Sequence, residues 1–562
     1  MQYPPVQPYV NGVPGMKYKT TMGRITVIPE GKSGLLREGE TLLSHLQRLG
    51  VQITIGCRGA GECGTCRVRV LSGAESISRP SPSEKKWLDT SRERLACQAI
   101  VLDETENIII ETRETGTFSI VREGIRAEFV KAPVITIKEM NGRRVVARDD
   151  KILDFMAGRC AGVSFDAGTT TLVIRWYDLE GDGSTPLATA SILNPQGRFG
   201  DNVIDRVGYA TTSPEGQSRM EQVLAEAIQR VLLSGPVNPA EIYDLVVVGN
   251  TVMRDLICGL PVHSLGRSPY ESCHPGPVEV PAVDRKFMIH PAGHLYAPPV
   301  LGQFVGPDML AVLLAVGMHE REEVTMAIDI GTNTEIAVGN REKILVTSCA
   351  SGPAFEGSGV KCGTGAVDGA IMQVRILPDE SVSYTTIGNG PPTGICGSGL
   401  VDTLAEMLEH GLMDMAGKFT GRRTRFTLAH RNEKPGSPIF LDEEDIDAIK
   451  LAKAAIFTGV QTLLGRWGVT PDHLSRVYLA GAFGTSIDPR NAERIGMIPQ
   501  LPRDRVIQAG NAAIEGASMM LLSRSKRYEA EKMVRITEHV SLENEPGFED
   551  IYIDGLRFGP ID

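Results

Sequence analysis

Two phrases in this chain are near copies of each other, "GVSFDAGTTTLVI" at 162–174 and "MAIDIGTNTEIAV" at 326–338. Each runs an apolar stretch into Asp, then through Gly-Thr to a polar residue and Thr, and back into an apolar stretch. That pattern predicts a β-hairpin whose turn carries Asp166–Thr170 in one copy and Asp329–Asn333 in the other. Glycine and threonine in a tight turn offer backbone N–H and hydroxyl donors to phosphate oxygens. The aspartate offers a hard oxygen for Mg²⁺, through water. One such turn joins many pairs of strands and says little. Two of them, each opening a long segment, imply a duplicated fold with a nucleotide between the halves.

A third phrase fits that frame. "VYLAGAFGTSID" at 477–488 is an apolar strand running into Gly481, Ala482, Phe483 and Gly484. A strand ending in small residues leaves room for a flat adenine ring and its ribose. The preceding stretch "IDAIKLAKAAIFTGVQTLLGRW" places Ile446, Ile449, Ile456, Val460, Leu463 and Trp467 at helical spacing. "VVVGNTVMRDLICGL" (246–260) reads as strand, turn and helix, and "GICGSGLVDTLAEML" (394–408) as a glycine turn opening a helix. "NPQGRFGDNVIDRV" (194–207) is either a functional loop or a solvated turn. "SCASGPAFEGSGVKCGTGA" (348–366) is a small-residue loop in which Glu356 and Lys361 are candidates. The chain has no G-x-x-x-x-G-K-[ST] motif, which disfavours a P-loop NTPase.

The N-terminal part carries different chemistry. Cys57, Cys63 and Cys66 stand within "CRGAGECGTC", and Cys97 follows in "RERLACQAI", a C-x5-C-x2-C…C spacing. One loop can present three thiolates to a point while the distant cysteine closes the site. Zinc ribbons use two C-x2-C pairs and here there is one. The loop-plus-distant-cysteine arrangement is that of 2Fe–2S ferredoxins. Gly59, Ala60, Gly61, Gly64 and Thr65 let backbone N–H groups approach the sulfurs. The flanks predict strands at 23–29, 66–73 and 106–112 and a helix over 40–51, an order that resembles the β-grasp ferredoxin fold. Structural zinc, or four unrelated buried cysteines, is the plainer alternative. Cys160, Cys258, Cys273, Cys349, Cys362 and Cys396 show no ligand spacing and read mostly as small buried hydrophobes.

Bulk numbers bound the rest. The 562 residues exceed one core, so several domains are expected. A net charge of −11 argues against nucleic acid as a main partner. No apolar run is long enough to span a bilayer, and "MQYPPVQPYVNGVPGMKYKT" lacks a signal peptide's apolar centre, so a cytoplasmic protein with no membrane contact is expected.

From 161 to 562 the order of motifs resembles the actin, sugar-kinase and heat-shock ATPase superfamily. Asp166–Thr171 matches its first phosphate motif, Asp329–Glu335 its second and Leu479–Gly484 its adenosine motif. The whole chain resembles the ATP-dependent reductive activators of corrinoid proteins, on "CRGAGECGTC", "DAGTTT", "NPQGRFGDNVI", "GNTVM", "DIGTNTE", "SGPAFEG", "CGSGL" and "LAGAFG". The resemblance implies a multidomain α/β chain. Its parts are a flexible tail (1–20), a β-grasp 2Fe–2S ferredoxin-like domain (21–112), a short linker or small middle module (113–160) and a duplicated actin-like, ribonuclease H-like ATPase domain (161–562). The ATPase lobes fall at about 161–322 and 323–562. The 113–160 segment is shorter than the linker plus middle domain of some members, which puts a middle-domain role in question.

The same resemblance implies a function and a set of roles. One electron passes through the 2Fe–2S cluster to a corrinoid protein of a methyltransferase system, returning Co(II) to Co(I), and ATP hydrolysis drives the step. A plant-type cluster sits at about −400 mV. At about 60 mV per tenfold, an uphill gap of roughly 100–200 mV disfavours the transfer by about 10²–10³, so the nucleotide must change the partner's cobalt ligation or the affinity for its reduced form. Cys57, Cys63, Cys66 and Cys97 hold the cluster. Asp166 and Asp329 hold Mg²⁺ through water. Gly168, Thr169, Thr170, Gly331, Thr332 and Asn333 grip the phosphates of ATP, and Gly481, Ala482 and Gly484 face adenosine. A low-potential donor such as ferredoxin or flavodoxin is implied, and a homodimer is compatible with the family. The alternatives at this point are a small-molecule kinase with a redox-regulatory domain, an activator of a radical dehydratase, and a binding module with degenerate sites.

Overall fold

The computed structural model of the chain describes residues 22–28, 30–51, 53, 59–61, 64, 66–85, 87–88, 91–112, 124–156, 158–431 and 437–561. The tail expected at 1–20, Cys57, Cys63 and the side chain of Ala482 lie outside the described residues. The chain divides into two compact units, one holding the residues up to Glu114 other than Thr54–Thr65, the other including Thr115–Asp562.

In the first unit, Arg24–Ile28 alternates exposed and buried residues, as a strand with one wet face does. Its buried Ile25 and Val27 pair in parallel register with Ile108 and Ile110 of strand Ile108–Thr112. The five-stranded sheet has the order Lys32–Leu35, Arg24–Ile28, Ile108–Thr112, Arg67–Ser72, Glu93–Leu95. Helix Leu42–Arg48 begins where the Thr41 hydroxyl accepts the Ser44 N–H at 3.1 Å, and it buries Leu42 and Leu46. This is the mixed sheet and helix of a β-grasp ferredoxin.

The second unit contains two six-stranded sheets built on one plan. In the first, Ala161–Ala167, Thr171–Asp178 and Ala188–Leu193 form an antiparallel meander, and Ile242–Gly249 lies parallel to the first of them. In the second, Thr325–Ile330, Thr334–Gly339 and Ile344–Cys349 repeat the meander, and Arg476–Ala480 lies parallel to Thr325–Ile330. Each Asp-Gly-Thr phrase therefore occupies the first turn of its own sheet.

Two helices are apolar nearly all round and sit in the core, Pro307–Val316 and Ala512–Leu522. They touch backbone to backbone: a Cβ on Gly516 would stand 2.1 Å from the Ala311 carbonyl oxygen. The second helix crosses to the first sheet, where the Ser518 hydroxyl lies 2.9 Å from both the Ser164 hydroxyl and the Tyr177 hydroxyl. Arg175 reinforces this crossing with a 2.9 Å bond to Glu515. A plain division of the lobes near 322 thus leaves one late helix on the earlier side. A three-stranded antiparallel sheet, Ile135–Met140, Arg143–Arg148 and Lys151–Phe155, joins the same core through Ile135 and Val146.

Candidate functional site

The cysteine site starts from strand pairing. Arg67 pairs with Leu95, and the Ala96 N–H donates to the Cys66 carbonyl at 2.8 Å. That register brings the Cys66 backbone to Ala96, the residue before Cys97, and both cysteines are buried. Behind Cys97, the buried Glu84 carboxylate takes Arg94 Nε at 3.0 Å, Arg94 Nη2 at 3.1 Å and the Leu95 N–H at 3.1 Å. In the loop, Gly59, Gly61 and Gly64 have φ of +87°, +78° and +69°. Side chains avoid that region, so glycine suits these three positions. Buried thiols such as those of Cys66 and Cys97 are the donor chemistry an iron–sulfur cluster takes. Cys160, Cys258, Cys349, Cys362 and Cys396 are also buried, each elsewhere in the fold, and Cys273 is exposed.

The second site lies where the two Asp-Gly-Thr turns meet. The Thr170 and Thr332 hydroxyl oxygens are 3.1 Å apart. The first turn is braced from behind by the 194–207 loop and by the "GNT" turn. Asn194 Nδ2 donates to the Gly168 carbonyl at 2.9 Å, and the buried Arg206 donates to the Thr169 carbonyl at 2.6 Å. Asn250 Nδ2 donates to the Thr169 hydroxyl at 3.0 Å. The 194–207 stretch is therefore a brace for the first turn and not a solvated turn. Burial lowers the Arg206 guanidinium to about 10, which leaves it cationic at neutral pH.

Below the turns lies a group of carboxylates. Burial and the charge of Asp329 push Asp166 up to about 7, and burial pushes Asp329 up to about 6. Asp308 is raised well above the usual range by burial, by Asp329 and by Asp166; Glu335 is raised by burial, by Asp308 and by Asp329. Asn511 Nδ2 donates to Asp166 at 3.3 Å, and the Ser348 hydroxyl donates to Glu335 at 3.1 Å. Sequence reasoning gave Asp308 no role and took Glu335 only as the last residue of the second phosphate motif. A signal for the first exists: "GPDMLAVLLAV" sets one aspartate at the start of an otherwise apolar helix. Four mutually repelling carboxylates beside hydroxyl-bearing turns can hold a hard divalent cation and a polyphosphate together.

The third motif reaches the same place by register. Ala480 pairs with Asp329, and Gly481 follows with φ +81°. A Cβ on Gly481 would stand 2.6 Å from Asp329 Oδ1, so only glycine lets the two approach. Gly484 lies in the short helix Gly481–Ser486 and faces Leu479 of the strand before it. Phe483 stacks on Phe355 with ring centroids 5.0 Å apart. Glu356 accepts from Thr332 at 2.6 Å and from Thr170 at 3.1 Å. Lys361, the other candidate of that loop, is taken up by Asp442 and by Glu444 at 2.8 Å, at the start of helix Glu443–Trp467.

Comparison with known proteins covers both sites. Residues 25–102 match the 2Fe–2S iron–sulfur cluster binding domain, 161–321 the RACo middle region, and 323–560 the C-terminal, ASKHA domain of RACo. The corrinoid activation enzyme RamQ of Eubacterium limosum is 30% identical, over 92% of this chain and 96% of its own. The chain belongs to the RACo family. A Methanosarcina barkeri protein named [Co(II) methylated amine-specific corrinoid protein] reductase is 24% identical over 71% of this chain and 77% of its own. A solved structure titled reductive activator for corrinoid, iron-sulfur protein aligns with a TM-score of 0.70 at 28% identity, covering 96% of this chain and 99% of that one. The RACo middle region is thus matched at 161–321, the first lobe, and not in the 113–160 segment. Among the described residues, no helix is long and apolar enough to cross a membrane.

Proposed function

We propose that this RACo-family chain returns the cobalt of a corrinoid protein from Co(II) to Co(I) in a methyltransferase system, at the expense of ATP. The observation that carries the reading is the conjunction, in a chain aligned with 96% of RamQ, of a match to the 2Fe–2S cluster binding domain and two Gly-Thr turns in contact. In this reading Cys57, Cys63, Cys66 and Cys97 hold a 2Fe–2S cluster, which supplies one-electron transfer when bound. A low-potential ferredoxin or flavodoxin feeds it, in the cytoplasm. Asp166 and Asp329, with Asp308 beside them, hold Mg²⁺ through water, and its charge relieves their repulsion. Gly168, Thr169, Thr170, Gly331, Thr332 and Asn333 grip the phosphates, and Gly481, Ala482 and Gly484 border the nucleoside.

The lobes meet at the turns, so a bound nucleotide draws them together through both at once. A state of the protein that favours the Co(I) partner is populated in proportion to its differential affinity. Hydrolysis then releases the partner. The test is the visible spectrum of an anaerobic mixture of a Co(II) corrinoid protein, this protein, a low-potential reductant and Mg-ATP. Growth of the Co(I) band should require both ATP and an intact Cys57. No Co(I) with several corrinoid partners, despite a reducible cluster and ATP turnover, would sink the proposal.

A further inference from the structure

Glu356 is a candidate from its small-residue loop, and the structure gives it a specific position. It ends the short turn Pro353–Glu356, just after strand Ile344–Cys349 of the second sheet. The turn is held from both sides. Phe355 is buried and stacks on Phe483, and Gly357 at φ +81° presses so close that a Cβ there would stand 2.4 Å from the Thr364 nitrogen. The carboxylate is thereby aimed at the two turns, with Oε1 on the Thr332 hydroxyl at 2.6 Å and Oε2 on the Thr170 hydroxyl at 3.1 Å.

A carboxylate and a terminal phosphoryl group are both anions that accept from hydroxyl donors. The donors that the reading above assigns to phosphate are, in this structure, spent on Glu356. Resting on that reading, we propose that Glu356, held against the Thr332 and Thr170 hydroxyls, takes the proton of the water that attacks the terminal phosphate. It stands there next to the terminal phosphorus. In the step, the water oxygen bonds to that phosphorus as the bond to the β,γ-bridging oxygen breaks. The bridging oxygen leaves with ADP carrying the electron pair, and the water proton passes to Glu356 and then to solvent.

The experiment uses the full-length, cluster-loaded protein and its Glu356→Gln and Glu356→Asp variants. Affinity for a non-hydrolysable ATP analogue with Mg²⁺ is measured by calorimetry, and hydrolysis by single turnover of ATP. Glu356→Gln should bind the analogue as tightly as the wild type or up to about tenfold more tightly, and hydrolyse about 10²-fold more slowly or worse. Glu356→Asp, which keeps the charge but is too short to span both hydroxyls, should recover part of the rate. Hydrolysis by Glu356→Gln within tenfold of wild type overturns the proposal. So does a parallel loss of affinity and rate in both variants, which would make Glu356 a brace only. If the wild-type protein itself neither binds the analogue nor turns over ATP, the phosphate reading falls, and this inference with it.

Discussion

Thr170 and Thr332 touch through their hydroxyls at 3.1 Å, each from the first hairpin of its own sheet. The contact turns two local motifs into one site. Neither threonine needs the other to form its turn, yet each hydroxyl is oriented by its neighbour and by Glu356.

Thr332→Val keeps the shape of the side chain and removes its donor. A hydrogen bond to a charged group contributes about 1.5–3 kcal/mol. The expected result is a loss of roughly 10–100-fold in Mg-ATP affinity, with the visible spectrum of the cluster unchanged. Calorimetric titration checks it, and an unchanged affinity would remove Thr332 from the phosphate site.

Gly516→Ala should damage the helix crossing, because the new Cβ lies 2.1 Å from the Ala311 oxygen and both backbones are fixed in a core. Overpacking of this kind costs about 1–3 kcal/mol. Gly465→Ala is the contrast: it lies in helix Glu443–Trp467 with nothing within 4 Å of a new Cβ. There the substitution should stabilise by up to about 1 kcal/mol. Denaturation midpoints that shift alike would contradict the assignment.

Glu84→Ala strands the Arg94 guanidinium in the first unit, where both side chains are buried. Removing one partner of a buried pair costs about 3–5 kcal/mol. Since the Leu95 N–H also rests on Glu84, the loss falls two residues from Cys97. The variant should lose its cluster absorbance at a lower temperature than wild type, while ATP turnover by the second unit persists. Equal melting of the visible band would refute the link.

Lys453 gives a pH dependence. It is buried in helix Glu443–Trp467, with Nζ donating to the carbonyls of Gly555 at 3.0 Å and Arg557 at 2.6 Å. Burial lowers it from 10.5 to about 8. Between those values the unfolded chain holds the proton and the folded chain does not, so stability rises with pH through that window. Relative to Lys453→Met, the wild type should gain up to about 1.4 kcal/mol per pH unit there. Denaturant melts of both proteins at about pH 8 and about pH 10 test this; a constant difference would show that Lys453 keeps its proton.

The sequence by itself determined the features that depend on neighbours along the chain. The hairpins at Asp166 and Asp329 follow from apolar alternation broken by Gly-Thr. The long helix follows from Ile446, Ile449, Ile456, Val460 and Leu463, all fully buried in the fold. The ferredoxin-like domain was legible because four cysteines stand at a recognisable spacing, and residues 25–102 match the 2Fe–2S cluster binding domain. Only the tertiary structure decided what stands opposite what. Asp308 joins the aspartates because helix Pro307–Val316 enters the core beneath the first turn, where Gly306 lies against Gly249 and Asn250. Gly481 reaches Asp329 because parallel register sets Ala480 beside it. Glu356 bridges two turns that no local pattern relates, and Ala512–Leu522 crosses to a sheet formed far earlier in the chain. A local pattern records which face of an element is apolar. The partner of that face is fixed by sheet register and close packing between segments that the sequence keeps apart.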